Sequence, residues 1–413
     1  MPALQWLDPD FVKQLFENQT CSSIEEARVF ICESYPEQKE FTFRTLQRFL
    51  NEHGIKVQQR LSKDELESQV RQATEEVGGS LGRKTMQGYL RSKGVQAKQS
   101  RISAAQAVVS PPYMENRRRD TQNQLNPQPY RALHFGYNLH MDQNEKCVEY
   151  GIVFVIAVDG KSSLIVRGSV MPRKNNITIY KHVYAAATRE FGLWDKVVAD
   201  GGREFYLCEF VQQYLKGFRI KEDGHLSGRL SYVQTTSCKN NRVERLWQEV
   251  NKAVGLPIKH AFLELEHTST TWSRQDQGHL FATSFVGCCV ARVLLQRCID
   301  GWNNHSIEDK GIPSQYIASK KNYHLPAGAL PSADAAVALY QGEGGQLTEE
   351  WQYGVDPLND QLEKQREREA KFMSALNDSI GGIEGLANHT VNHNYQPIQD
   401  AVLLFIEIGV SLS

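Results

Sequence analysis

A chain of 413 residues has room for two or three domains, and 40% hydrophobic with 9% aromatic residues is the composition of an ordinary soluble protein. Its formal net charge of −1 gives no whole-chain argument for a nucleic-acid partner, so such a partner requires positive charge gathered in one segment. Eight cysteines lie scattered, without a CxxC pair or a Cys/His pair at zinc-finger spacing. That excludes a disulfide framework and fits a reducing compartment. The opening MPALQWLDPD does not read as a signal peptide, and no apolar run reads as a membrane span.

Residues 1–109 predict helix after helix: Asp10–Asn18, Ser23–Ser34, Thr42–His53, Ser62–Val77, Gly82–Ser92 and Ser100–Val109. In the third, Phe43, Leu46 and Leu50 form the expected buried face. Arg44, Gln47, Arg48 and Asn51 point away, residue types that suit phosphate and base-edge contacts as well as plain solvation. Residues 82–102 place a helix, a turn at Lys93-Gly94 and a second helix carrying Lys98, Gln99 and Arg101, a helix-turn-helix pattern. From Arg83 to Arg119 every charged residue is basic except Glu115, so positive charge is gathered after all. Residues 110–129 form a basic, proline-bearing linker whose Arg117, Arg118 and Arg119 suit phosphate tracking, nuclear targeting or solubility.

Next come the strands. Ala132–Asp142 alternates and ends on Asp142; Tyr150–Asp159 and Ser163–Val170 are the most strand-like runs in the chain. A helix is expected over Asn176–Phe191. The short run DKVVAD ends on Asp200 before Gly201-Gly202. Ser237–Leu256 is an amphipathic helix, with Val243, Trp247, Val250 and Val254 as its buried stripe, Ser237 and the Asn240/Asn241 pair as its N-cap residues and Gly255-Leu256-Pro257 as its stop. Glu244 stands one residue off the stripe, beside Gln248 and Asn251. A lone helical glutamate is ordinarily solvated. Two strand-ending aspartates upstream make this one different, because hard divalent cations need several oxygen ligands converging from different elements. The element order gives a mixed α/β domain.

HMDQNEK (140–146), IAVDGKSSLIV (156–166), VVADGGREF (197–205) and NNRVERLWQEVN (240–251) resemble the catalytic core of the retroviral-type integrases and related DDE transposases, most nearly the integrase core-domain proteins encoded in eukaryotic genomes. The resemblance implies an RNase H-like fold and a D, D, E triad of Asp142, Asp200 and Glu244 binding two Mg²⁺ or Mn²⁺ ions. The second spacing is longer than the familiar one, which an insertion around 224–230 accounts for. Residues 82–102 likewise resemble the helix-turn-helix ahead of many transposase cores. The implied activity is DNA-end cleavage followed by joining of a DNA 3′-hydroxyl to target DNA, in the nucleus (or cytoplasm before nuclear entry), by a homo-oligomer without a membrane role. The alternatives are a domesticated, catalytically silent DNA- or partner-binding protein and a simple RNase H-type nuclease. Lys239 and Arg242 flank Glu244 as candidate phosphate contacts, as do Arg173 and Lys174 more weakly.

Other groups compete for these roles. Asp159 most simply starts the Gly160 turn, Glu204 most simply caps a helix start, and His140 is structural or orients Asp142. Where the family often carries a histidine ahead of its glutamate helix, Tyr232 stands here. Ala282–Asp300 is apolar nearly all round and should cover the sheet from behind. The expected organisation is a helical DNA-binding region over 1–109, linker 110–129, core 130–310, helical extension 311–378 and a mobile tail over 379–413.

Overall fold

This computed structural model describes the chain except for residues 1–3, 18–19, 22, 56–60, 112–129, 236–239 and 309 and the side chains of Glu17, Asn241, Arg242 and Glu244. A period-two pattern at 139–147 builds its central feature. Leu139 and Met141 enter one core, while His140, Asp142 and Asn144 take the opposite face. This strand, β1 (Leu139–Cys147), pairs antiparallel with β2 (Ile152–Asp159), which pairs antiparallel with β3 (Ile165–Met171). Two short strands, β4 (Val197–Ala199) and β5 (Tyr232–Gln234), continue in parallel from the other side of β1, in the order β3-β2-β1-β4-β5. Buried along its whole length, β2 is apolar up to Asp159, as a strand covered on both faces must be. Ile152, Phe154, Ile156 and Val158 feed one core, and Val153, Val155 and Ala157 the other. The mixed sheet between N-terminal and C-terminal helices is the RNase H-like α/β architecture expected.

The chain divides into two units, Met1–Leu66 and Glu67–Ser413. In the first, α1 (Pro9–Glu17), α2 (Ile24–Ser34) and α3 (Phe43–Glu52) enclose Val12, Ala27, Ile31, Leu46 and Leu50. Ser23 and Thr42 cap α2 and α3, each accepting from the N–H three residues on. Leu46, Phe49 and Leu50 form the buried face of α3. Phe43, expected there, is exposed, because it opens the helix one turn short of the small core.

The expected 1–109 region falls in both units. The boundary cuts α4 (Lys63–Val77), whose start carries a capping box: Ser62 Oγ accepts from Glu65 N at 3.1 Å, and Glu65 Oε2 from Ser62 N at 2.7 Å. In the larger unit, α5 (Arg83–Ser92) and α6 (Gln99–Val109) meet through the turn at Gly94. Gly88 of α5 lies so close to the backbone at Gly301 that any Cβ would collide with it. The first helix of the proposed reading head is thus docked on its own unit.

On one face of the sheet lie α7 (residues 176–191, with a π turn at Tyr180–Tyr184) and α8 (Tyr206–Tyr214). On the other lie α9 (residues 241–268, with a π turn at Asn251–Gly255) and α10 (Gln277–Asn304). The stop expected at Gly255-Leu256-Pro257 does not end α9. The π turn already breaks the i→i−4 ladder where Pro257 has no N–H to give, so the helix passes through. As expected, α10 covers the back of the sheet: Leu295 and Ile299 press on Gly168 of β3. This helix is long and apolar enough to cross a membrane by length and composition, yet 61% of its apolar window is buried within the protein. It is a core helix.

After α11 (Ala333–Gly342) and α12 (Leu362–Ile380), residues 379–413 are not the mobile tail expected. They form α13 (Gly382–Val391) and α14 (Gln396–Leu412), with Leu386, Ile398, Val402 and Phe405 buried against α10 and α12. Ile398, Ala401, Val402 and Phe405 form the buried stripe of α14. The charged α12 packs inward on one side, through Arg368, Phe372 and Leu376. Its Arg368 is buried, makes a two-pronged pair with Asp356 at 2.6 and 2.8 Å, and lies 4.5 Å from the centre of the Phe405 ring. Removing one partner of such a pair strands a buried charge. Arg368→Ala should therefore lower the unfolding free energy of the larger unit by about 3–5 kcal/mol in urea titrations. A change within experimental error would mean that the C-terminal helices do not depend on this pair.

Candidate catalytic site

Leu139 and His140 of β1 stand opposite Val197 and Val198 of β4, an offset of 58 residues in parallel register. Asp142 and Asp200 differ by the same 58, so extending the register two residues past its observed pairs brings the two aspartate positions to the same level of neighbouring strands. Asp142 lies within β1; Asp200 follows the last residue of β4, where the chain turns and Gly202 N donates to its Oδ1 at 3.2 Å. Asp142 is buried, and its side chain takes the face that α9 covers.

Three polar contacts fasten α9 along β1. The ring nitrogen Nδ1 of His140 is 2.7 Å from Asn240 Oδ1, while Asn240 Nδ2 donates to Met141 O at 3.1 Å. Trp247 Nε1 donates to Asp142 Oδ2 at 2.9 Å. Asn144 Nδ2 donates to Asn251 Oδ1 at 2.8 Å. Asn240 sits at the helix start but spends its side chain on β1, not on a cap. Position 244 is one turn after Asn240 and one turn before Trp247, so helical spacing puts it on the face toward Asp142. The Glu244 side chain lies outside the described residues. The predicted stripe is buried at Val243, Trp247, Val250 and Val254. The sequence reading took Asn240 as a cap and passed over the hydrogen-bonding edge of Trp247. The signal was there, as polar residues at 140, 142 and 144 matched by polar groups at 240, 247 and 251.

Around Asp200, Gly202 has the Glu204 carboxylate against its α-carbon, in a space any side chain would fill. Glu204 is buried, with Lys174 Nζ 3.9 Å away and 2.5 Å from Glu145 on β1. Burial pushes the Glu204 carboxyl above its usual range; the Asp200 charge adds to this, and Lys174 opposes it. Lys174 is therefore engaged within the protein, and Arg173 pairs with Glu350 at 2.7 Å, so neither is simply offered to DNA.

The competing groups resolve clearly. Asp159 accepts from the backbone N–H of Gly136, Lys161 and Ser162, from Ser162 Oγ and from the Trp194 indole, which makes it the organiser of its turn. His140 is held between Asn240 and the Tyr130 hydroxyl, a structural role. Tyr232 packs with Val197 and Cys208 in the core on the opposite sheet face from Asp142, and burial pushes its hydroxyl pKa up. In the 224–230 stretch, Arg229 reaches Asp195 Oδ2 at 2.6 Å and stacks 3.5 Å from the centre of the Tyr137 ring.

The candidate DNA contacts fall into groups. Arg44 and Arg48 are exposed on α3 in the first unit. Lys98 is exposed and Arg101 half-buried at the start of α6 in the second. Arg117, Arg118, Arg119 and Lys239, with the Arg242 side chain, lie outside the described residues. Among the described residues no group of three or more His, Cys, Asp or Glu could hold a metal ion; of the three expected carboxylates, two are described. The donor chemistry fits Mg²⁺ or Mn²⁺ nonetheless, since adjacent parallel strands supply two carboxylates and the covering helix offers a position for a third.

Residues 134–320 match the family profile described as Integrase core domain. No curated protein matches the chain.

The buried Glu204 gives a pH test. Its folded-state pKa is raised, so the stability it contributes is fully present below its ordinary 4.5 and is lost as the pH rises through the folded value. Glu204→Gln should thus gain stability relative to wild type as pH climbs from 4 to 8, followed by thermal melting. A difference that stays flat or reverses would show that Lys174 outweighs burial.

Proposed function

We propose that this chain, whose residues 134–320 match the integrase core domain, is a polynucleotidyl transferase of the integrase/transposase kind that cleaves DNA ends and joins a DNA 3′-hydroxyl to target DNA. What supports this reading is the parallel register of β1 and β4, which when extended by two residues brings Asp142 and Asp200 to the same level, together with the covering of Asp142 by the helix that carries position 244. Asp142, Asp200 and Glu244 would hold two Mg²⁺ or Mn²⁺ ions, which when bound stabilise the attacking and leaving oxygens of an in-line phosphoryl displacement. The protein's part is to keep three negative groups converging. Trp247 Nε1 donates to Asp142, Gly202 N donates to Asp200, and the Asn240 contacts fix the start of α9 one turn before position 244.

Water attacks the scissile phosphorus in end processing, breaking its bond to the 3′-bridging oxygen and leaving a DNA 3′-hydroxyl. In joining, that hydroxyl loses its proton and forms the new P–O bond as the target strand's 3′-oxygen departs. Neither step uses a covalent enzyme intermediate. This agrees with Tyr232, the tyrosine of the adjacent strand, packing on the opposite face of the sheet. Exposed Arg44, Arg48 and Lys98, with Arg101 and Arg117–Arg119, would grip phosphates of the DNA ends, and two ends to be joined call for a homo-oligomer acting in the nucleus. The basic segment ahead of the core favours this reading over a simple nuclease, which has no need to recognise an end.

A strand-transfer assay with Mg²⁺ or Mn²⁺, supplied with the sequences flanking the gene, tests the reading. Asp142→Asn and Glu244→Gln keep shape and remove ligand charge. Each should reduce joining by at least about a hundredfold while leaving metal-free DNA binding intact. Cleavage without joining by the wild type would instead indicate a nuclease, and DNA binding with neither reaction a silent, domesticated protein.

A further inference from the structure

We propose that Trp247 is the positioning residue for Asp142, its indole N–H fixing the carboxylate for metal binding and locking the carboxylate-bearing helix and strand in register. This inference rests on the metal-dependent reading above. Trp247 Nε1 lies 2.9 Å from Asp142 Oδ2, and both side chains are 7% exposed, so water has little part in the contact. An indole has one donor and no acceptor, so it can only donate. It therefore selects which carboxylate oxygen takes the N–H. An asparagine or glutamine could flip, and a lysine would bring a charge competing with the cation.

The rest of the Trp247 ring is anchored in the core with Val243, Val250 and Ile156, so the donor is carried on a rigid mount. The flanking contacts, Asn240 with His140 and Asn251 with Asn144, place the helix but do not touch Asp142. Trp247 alone among these three contacts joins the placement of α9 to the orientation of the carboxylate itself. Groups that orient a ligand in this way set metal affinity as well as structure.

The test uses the full chain and Mn²⁺ alone, with free Mn²⁺ counted by electron paramagnetic resonance and folding followed by thermal melting without metal. The proteins are wild type, Asp142→Asn, Trp247→Phe and Asn251→Ala. Trp247→Phe keeps an aromatic ring in the core and removes the N–H; it should weaken Mn²⁺ binding about tenfold. Asn251→Ala breaks a neighbouring contact and should leave Mn²⁺ binding near that of the wild type. Should Trp247→Phe fold poorly, 3-benzothienylalanine at position 247, with sulfur in place of N–H, gives the same shape and should show the same loss. Wild-type Mn²⁺ affinity in a folded variant that lacks the N–H would overturn the proposal and leave Trp247 a packing residue. Equal losses in Trp247→Phe and Asn251→Ala would also overturn it, assigning the effect to helix placement in general. If instead wild type binds Mn²⁺ no better than Asp142→Asn, the metal-dependent reading itself fails, and this inference with it.

Discussion

The constraint on which the core depends is a row of polar side chains buried on one face of β1. A buried polar group without a partner costs about 1–3 kcal/mol, and an unpaired charge costs more. His140, Asp142 and Asn144 occupy successive positions on that face and are all buried. The element that covers them must therefore carry matching polar groups, and it must carry them at one spacing. From residue 140 to 144 a strand advances about 13 Å, and from residue 240 to 251 a helix advances about 16 Å. Nearly equal advance lets α9 run alongside β1 and meet it three times, through Asn240, Trp247 and Asn251. Sliding the helix by one residue would turn these groups away and bring an apolar stripe over a carboxylate.

Everything further out serves to hold that contact. Val243, Val250 and Val254 face the core that α10 closes from behind, and α13 and α14 close it from the far side. The Asp356–Arg368 pair clamps this outer layer, with the guanidinium lying between Asp356 and aromatic rings. On the other face, Asp159 gathers the turn after β2, and Asp195 accepts from two arginines just before β4. The strand that delivers Asp200 is only three residues long. Its position is set by neighbours on both sides, β1 and β5, more than by its own propensity.

Much of this was legible in the sequence, for identifiable reasons. The N-terminal helices announced themselves through Ser23, Thr42 and Ser62, whose caps act locally and need no tertiary context. The strand runs and the Val243–Trp247–Val250–Val254 stripe are period signals of the same local kind. Asp142 and Asp200 were put forward as candidates because each ends or lies in a run of strong strand character. What failed was non-local. Pro257 read as a stop because a π turn leaves no mark in residue types. Residues 379–413 read as mobile because 379–400 is rich in Gly, Asn and His and the apolar end at 401–410 is short, and their burial depends on packing against α10 and α12, which no local pattern announces.

The same distinction separates what sequence reveals of the site from what only packing reveals. A carboxylate declares its chemistry by residue type, so Asp142, Asp200 and Glu244 could be picked out one by one. Trp247 declares only hydrophobic bulk, and its place on a buried stripe was sufficient reason for it to be there. Its second function exists only because β1 brings a carboxylate oxygen to the edge of its ring. A buried tryptophan normally finds a partner for its N–H, and in this fold the partner is the residue on which the proposed chemistry turns. The stability of the core and the orientation of the carboxylate are thus not separable properties: the side chain that fills the space between helix and strand is also the one that aims Asp142.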